Sequence, residues 1–198
     1  MDLIRKFGPA ILLAVVAVIG FSYAAREWRE NKSEIIIQAA DFFETLALPY
    51  RIAKLSTQPR DINLPIPVQG VLFTEIENNW GAPRSGGRTH KGIDIFARRG
   101  TPIYAAADGY VIRTGKSELG GNFVYTVGAG GVRYYYAHLD SIAIGVKYGL
   151  PVTTNTIIGY VGNTGNASTT PAHLHLGMYV PSEGSSNPFP LLVSRRPR

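Results

Sequence analysis

The sequence predicts a mostly β, antiparallel domain carried behind an apolar N-terminal helix. Three observations point there. Short runs rich in β-branched and aromatic residues recur from Val68 onward, each closed by glycine, asparagine or proline breakers. The 22 glycines and 13 prolines of the 198 residues suit many turns better than a helix bundle. Helical spacing of apolar residues is confined to the first 55 positions. A hydrophobic fraction of 45% suffices for a core, and the length suits one domain with extensions.

Taken in order, Arg5 and Lys6 precede an almost unbroken apolar run from Gly8 to Ala25. Residues 1–26 therefore read as a transmembrane signal anchor, or as a signal peptide cut near Ala24 or Ala25. Arg26, Arg29 and Lys32 follow the run, so flanking charge does not orient it. Residues 27–56 read as a helical juxtamembrane stalk, with Ile36, Ala39, Ala40, Phe43 and Ala47 near helical spacing and Pro49 expected to end its main part. Residues 57–67 hold three prolines and read as an extended linker. Residues 68–194 form the β domain, and 195–198 a basic tail. Expected strands are Val68–Phe73, Gly92–Phe96, Thr101–Ala105, Gly109–Thr114, Asn122–Val127, Val132–Leu139, Ile157–Val161 and Ala172–Val180. Closely spaced short strands suggest a sheet sandwich or barrel.

Composition narrows the chemistry. No cysteine is present, which excludes a disulfide framework, a thiolate metal site and a thiol nucleophile. Any metal must be held by histidine and carboxylate. The formal net charge of +6 suits an anionic partner. Nucleic acid is not the expected one, because the basic residues are scattered rather than gathered in a stripe with stacking aromatics. The stretch Gly109–Ser117 imitates a phosphate loop but has five residues between its glycines where four are needed.

All four histidines lie in the β region. His90 and Asp94 are four apart around Gly92, and both side-chain types are good zinc ligands. His173 and His175 alternate with Leu174 and Leu176, so on a strand both imidazoles share one face and both leucines the other. Two imidazoles on one face are hard to explain as packing, since each buried ring nitrogen needs a partner. In Tyr134-Tyr135-Tyr136-Ala137-His138-Leu139 the same alternation puts Tyr134, Tyr136 and His138 on one face. The tyrosines read as ordinary strand packing or as a groove wall.

Together, His90 and Asp94, then Tyr136-Ala137-His138-Leu139, then His173 and His175 resemble the lysostaphin/LytM-type zinc metallopeptidases. Asn79–Arg84, Gly92–Ile95, Gly100–Ala106 and Gly159–Gly165 are similar to that family's supporting segments, and the likeness runs from about Pro65 to Val180. The segment Gly145–Val152 and the Pro171-Ala172 pair before His173 depart from the pattern without touching a ligand position. The resemblance implies an antiparallel β sandwich of the duplicated hybrid motif type. It implies Zn2+ held by His90, Asp94 and His175, with water in the open position. Two neutral imidazoles and one carboxylate leave a divalent ion with about +1 charge, which favours ionisation of that water. There is no H-E-x-x-H helix to supply a glutamate base. Proton transfer and oxyanion stabilisation then fall jointly to His138 and His173. The implied activity is hydrolysis of peptide bonds in peptidoglycan stem peptides or cross-links, in the periplasm or cell envelope. The alternatives are a non-catalytic regulator that binds other wall hydrolases, which would be expected to have lost ligands, and a lipoyl-type carrier, for which no exposed lysine hairpin is found.

Overall fold

A computed structural model describes residues 47–194 without a break, together with Ser22, Arg26, Lys32, Glu34, Ile36 and Ile37. The chain divides into two units, Met1–Ala47 and Leu48–Arg198. Each described residue of the first unit is helical. The expected anchor or signal peptide, 1–26, lies outside the described residues apart from Ser22 and Arg26, and so does the tail 195–198. Among the described residues, no helix is long and apolar enough to cross a membrane.

Helix α1 is described over 47–56. It runs through Pro49, where the sequence reading expected a break. Leu48, beside it, is only 2% exposed. The helix closes where the hydroxyls of Ser56 and Thr57 donate to the Ile52 and Lys54 carbonyls, both at 2.8 Å.

Fourteen strands follow among the described residues. They are β1 (Leu64–Pro65), β2 (Pro83–Arg84), β3 (Arg88–Thr89), β4 (Ile93–Phe96), β5 (Pro102–Tyr104), β6 (Gly109–Ser117) and β7 (Gly121–Gly128). After these come β8 (Arg133–Leu139), β9 (Ser141–Ile142), β10 (Pro151–Val152), β11 (Ile157–Tyr160), β12 (His173–Val180), β13 (Gly184–Ser186) and β14 (Leu192–Val193). The large sheet has the order β10-β6-β7-β8-β12-β13, and β4 also pairs with β12. A small sheet has the order β5-β11-β9. Both are antiparallel.

Inward side chains of both sheets meet in one core. Ile103 and Ile158 come from the small sheet; Val111, Val124, Tyr134, Tyr136, Leu174 and Leu176 come from the large one. Their burial supplies the main driving force for the domain. The proline-rich stretch 57–67 also feeds this core. Leu64 and Ile66 are fully buried, and β1 pairs in parallel with β14. The expected strand Val68–Phe73 is not formed. Val68 makes a single bridge to Ile103, then Gly70 turns the chain at φ 77°, and a 3-10 turn follows over Phe73–Glu75.

Candidate metal centre

Strand β12 lies between β8 on one edge and β4 on the other. Its His175 stands opposite Ala137 on β8 and opposite Asp94 on β4. This register alone puts the H-x-H strand beside the H-x-x-x-D turn. Leu174 and Leu176 point into the core with no exposure, and His173 and His175 face outward, as the alternation predicted. The mouth they face is a cavity of about 490 Å3 lined by His90, Asp94, His138, His173, His175 and Tyr135, among others.

Three donor groups converge there. His90 Nε2 lies 3.0 Å from Asp94 Oδ1 and 2.9 Å from His175 Nδ1, and His175 Nδ1 is 3.1 Å from Asp94 Oδ1. A carbonyl oxygen can only accept, so the 2.9 Å contact of His90 Nδ1 with Asn79 O fixes the proton on Nδ1. The Nε2 lone pair is thereby aimed at the other two acceptors. Three lone pairs meeting at a buried point ask for a cation. Around a tetrahedral zinc with bonds of about 2.0–2.1 Å, ligand atoms are about 3.3 Å apart. The observed triangle fits such an ion after a slight expansion, so these three residues could hold one. Asn79 braces the group twice, because its side-chain oxygen also accepts from Asp94 N at 3.1 Å. Gly92 leaves room for the His175 ring: a Cβ there would come within 2.5 Å of that ring.

Arg84, on β2 of the β2–β3 hairpin, donates to the second carboxylate oxygen, Oδ2. The sequence offered Arg84 only as part of a similar segment, and Asn79 likewise. Nothing in their spacing marks them, because one reaches the site from a hairpin and the other from the preceding loop, through its carbonyl as well as its side chain. Burial would raise the Asp94 pKa. The close ring nitrogens of His175 and His90 outweigh it and hold the carboxyl well below the usual carboxylate range.

The other two histidines stand beside this triangle. His173 Nε2 is 3.9 Å from Asp94 Oδ1, and its ring lies 5.0 Å from that of His138, centroid to centroid. Both are anchored alike. His173 Nδ1 contacts Pro171 O at 2.8 Å, and His138 Nδ1 contacts Thr164 O at 2.9 Å. Each Nδ1 therefore carries the proton, and each Nε2 is left as the basic nitrogen. Burial pushes the His138 pKa down to about 4, although the Thr164 carbonyl opposes this. Burial also lowers His175, opposed by its close contact with the Asp94 carboxylate.

One expectation is corrected. His138 does not share a face with Tyr134 and Tyr136. Those two are buried in the core, where the Tyr136 hydroxyl accepts from Ala106 N at 2.8 Å. Along β7 and β8 the pairing steps from Val124 opposite Tyr136 to Asn122 opposite Leu139, which leaves one extra residue on β8. That bulge, with His138 at φ 64°, turns the imidazole out of the alternation and into the cavity. The tyrosine that lines the cavity is Tyr135, 6.0 Å from the His175 ring.

A model of peptidase family M23 matches residues 88–188, slightly more than half the chain. Among curated relatives, an L-Ala--D-Glu endopeptidase of Bacillus subtilis is 36% identical over 125 residues, covering 58% of this chain and 38% of its own length. Lysostaphin of Staphylococcus simulans is 39% identical over 113 residues, covering 54% of this chain and 22% of its own. The chain thus spans less than two-fifths of the length of these two relatives. Among solved structures, the catalytic domain of Staphylococcus simulans lysostaphin matches with a TM-score of 0.53 and 32% identity, over 60% of this chain and 92% of that domain.

Proposed function

The chain belongs to peptidase family M23, and from that premise we propose that it is a zinc-dependent endopeptidase cutting peptide bonds in peptidoglycan stem peptides or cross-links. The observation that carries this reading is the triangle of His90, Asp94 and His175, with two further imidazoles on its open side. A regulator of other hydrolases needs only a binding surface. This chain keeps the whole set of donors and bases, which favours catalysis.

In this reading His90, Asp94 and His175 hold Zn2+. Bound there, the ion supplies Lewis-acid polarisation of a carbonyl and lowers the pKa of a water. The protein's own groups do the rest. Arg84 holds the second carboxylate oxygen and Asn79 holds the Asp94 backbone N–H, which together keep Oδ1 beside His90 and His175. The Nε2 atoms of His138 and His173, their Nδ1 protons tied to backbone carbonyls, take a proton from the attacking water, and the Nε2–H so formed donates to the oxygen of the tetrahedral carbon. A low His138 pKa keeps that ring neutral, and so able to accept a proton, at ordinary pH. The site of action is extracytoplasmic, the N-terminal segment serving as a membrane anchor or a cleaved signal.

The test is digestion of purified peptidoglycan by the full chain, with and without chelator, followed by mass spectrometry of the released fragments. Expected are new peptide termini that disappear with chelator and return with added Zn2+. Binding to peptidoglycan with no new termini at any zinc level would overturn catalysis in favour of the regulator.

A further inference from the structure

The cavity at the metal centre does not end at the histidines. The outward face of the large sheet continues away from it as a run of aromatic rings. Tyr135 lines the centre and stacks on Tyr125 of β7, with centroids 4.4 Å apart and planes at 26°. Tyr125 lies 6.4 Å from Tyr179 of β12, and Phe123 lies 5.8 Å from both Tyr125 and Tyr135. A second cavity of about 330 Å3 opens over this run, lined by Ile112, Arg113, Tyr125, Arg133 and Tyr179. Gly177 keeps the floor open, since a Cβ there would stand 3.3 Å from both Tyr135 and Tyr179.

Two cations flank the rings. Arg113 stands opposite Tyr125 across β6 and β7, its guanidinium carbon 5.4 Å from the Phe123 ring centre. Arg133 stands opposite Tyr179 across β8 and β12, its guanidinium carbon 6.0 Å from that ring centre. Both side chains are exposed, and among the described residues neither has a carboxylate partner. The outward face of an antiparallel sheet is ordinarily plain polar surface. Here it is an aromatic floor between two planar cations, the composition enriched where proteins grip a partner. Arg fits a carboxylate in a bidentate fork, and the rings cover the apolar atoms beside it.

We infer that Arg113 and Arg133, over the Tyr125–Tyr179 floor, form a distal subsite for a free carboxylate on the peptide substrate, continuous with the metal centre through Tyr135. The inference rests on the endopeptidase reading and adds a specificity element to it. Geometry sets the spacing. Neighbouring strands are about 4.8 Å apart, so Arg113 on β6 lies about 14 Å across the sheet from β12, while Arg133, one strand away, stands opposite Tyr179, four residues or about 14 Å along β12 from His175. An extended peptide advances about 3.4 Å per residue. The recognised acid then sits about four residues from the bond at the metal centre.

The test is binding, measured in chelator so that cleavage plays no part. The full chain is co-sedimented with purified peptidoglycan sacculi, either intact or with carboxyls converted to amides by carbodiimide and ammonia. The paired variant Arg113→Gln with Arg133→Gln is expected to bind intact sacculi about five- to tenfold more weakly, two exposed charge-assisted contacts being lost. On amidated sacculi parent and variant should bind alike. A control, Lys54→Gln with Arg98→Gln, removes two exposed cations elsewhere and should bind like the parent. The inference is overturned if the paired variant equals the parent on intact sacculi, if the control loses as much, if the deficit persists after amidation, or if the parent does not bind sacculi. Failure of the endopeptidase reading shows separately, as absence of zinc-dependent fragments.

Discussion

One sheet face carries two regions built on different physics. At the β4 end of β12, three of the four imidazoles and the carboxylate are tied to fixed partners: His90 to Asn79, His138 to Thr164, His173 to Pro171, and Asp94 to Arg84 and, through its backbone, Asn79. At the β6 end, Tyr125, Tyr135 and Tyr179 rest on one another, and Arg113 and Arg133 are held by little more than ring contacts. The first region has the fixed geometry that bond-breaking needs. The second has the adaptable, aromatic character of recognition. Changes in the first should therefore alter metal content or turnover, and changes in the second should alter binding.

The largest effect is expected at Asp94. Asp94→Ala removes one donor of the triangle and leaves Arg84 facing an empty position. Metal content by mass spectrometry should fall from stoichiometric to near zero, and fragment release should vanish. Full retention of zinc would break the assignment of this end to metal. Next is His173→Ala. That ring is 3.9 Å from Asp94 Oδ1 and outside the close triangle, so zinc should stay while turnover falls about 10²–10⁴-fold, the range for loss of a positioned acid–base group. Loss of zinc in this variant would instead make His173 a ligand and redraw the boundary between holding and reacting groups.

Much of this site was legible before the structure. His173 and His175 share a face because strand periodicity is fixed at two residues, and the leucines between them report that a core lies opposite. The H-x-x-x-D turn was legible because two good ligand types stand four apart around Gly92; that the glycine makes room for the His175 ring came only from the structure. His138 was assigned to the site but to the wrong face, because a one-residue bulge carries no sequence mark beyond a residue able to bear φ 64°. The short strands β1 and β14 were not foreseen, since two-residue pairings are decided by tertiary contact rather than pattern. Arg84 and Asn79 were missed as site residues for the same reason.

Arg84 supplies the third prediction. Arg84→Gln keeps a hydrogen-bond donor and removes the charge beside Asp94 Oδ2. Support of a ligating group from one step away is typically worth about 10–100-fold in metal affinity. Zinc affinity by competition with a chromophoric chelator should fall by about that factor, while stoichiometry at saturating zinc stays at one. An unchanged affinity would mean that the Arg84 charge has no part in orienting the carboxylate.

The smallest effect separates the two regions by pH. In the metal-free chain, burial holds the His138 pKa near 4 and also lowers His175. Above pH of about 6.5 these rings are neutral in both the folded and the unfolded chain, and they contribute no pH dependence. As pH falls below that value the unfolded chain takes up protons that the folded one refuses, so stability is lost, for His138 progressively down to about pH 4. Asp94, held below the usual carboxylate range, stays ionised in both states through most of this window and adds its own loss only at lower pH. At the other end of the face, burial first and then the neighbouring tyrosines push Tyr125 up to about 12, so its hydroxyl stays protonated throughout. Urea unfolding of the chelated chain should therefore show a midpoint that drops between pH 7 and pH 5, by about 1–2 kcal/mol of stability. His138→Asn should flatten that drop, and Tyr125→Leu should leave its slope unchanged. A slope that follows Tyr125 instead would place the acid-sensitive packing among the stacked rings and undo the contrast between a fixed and an adaptable end.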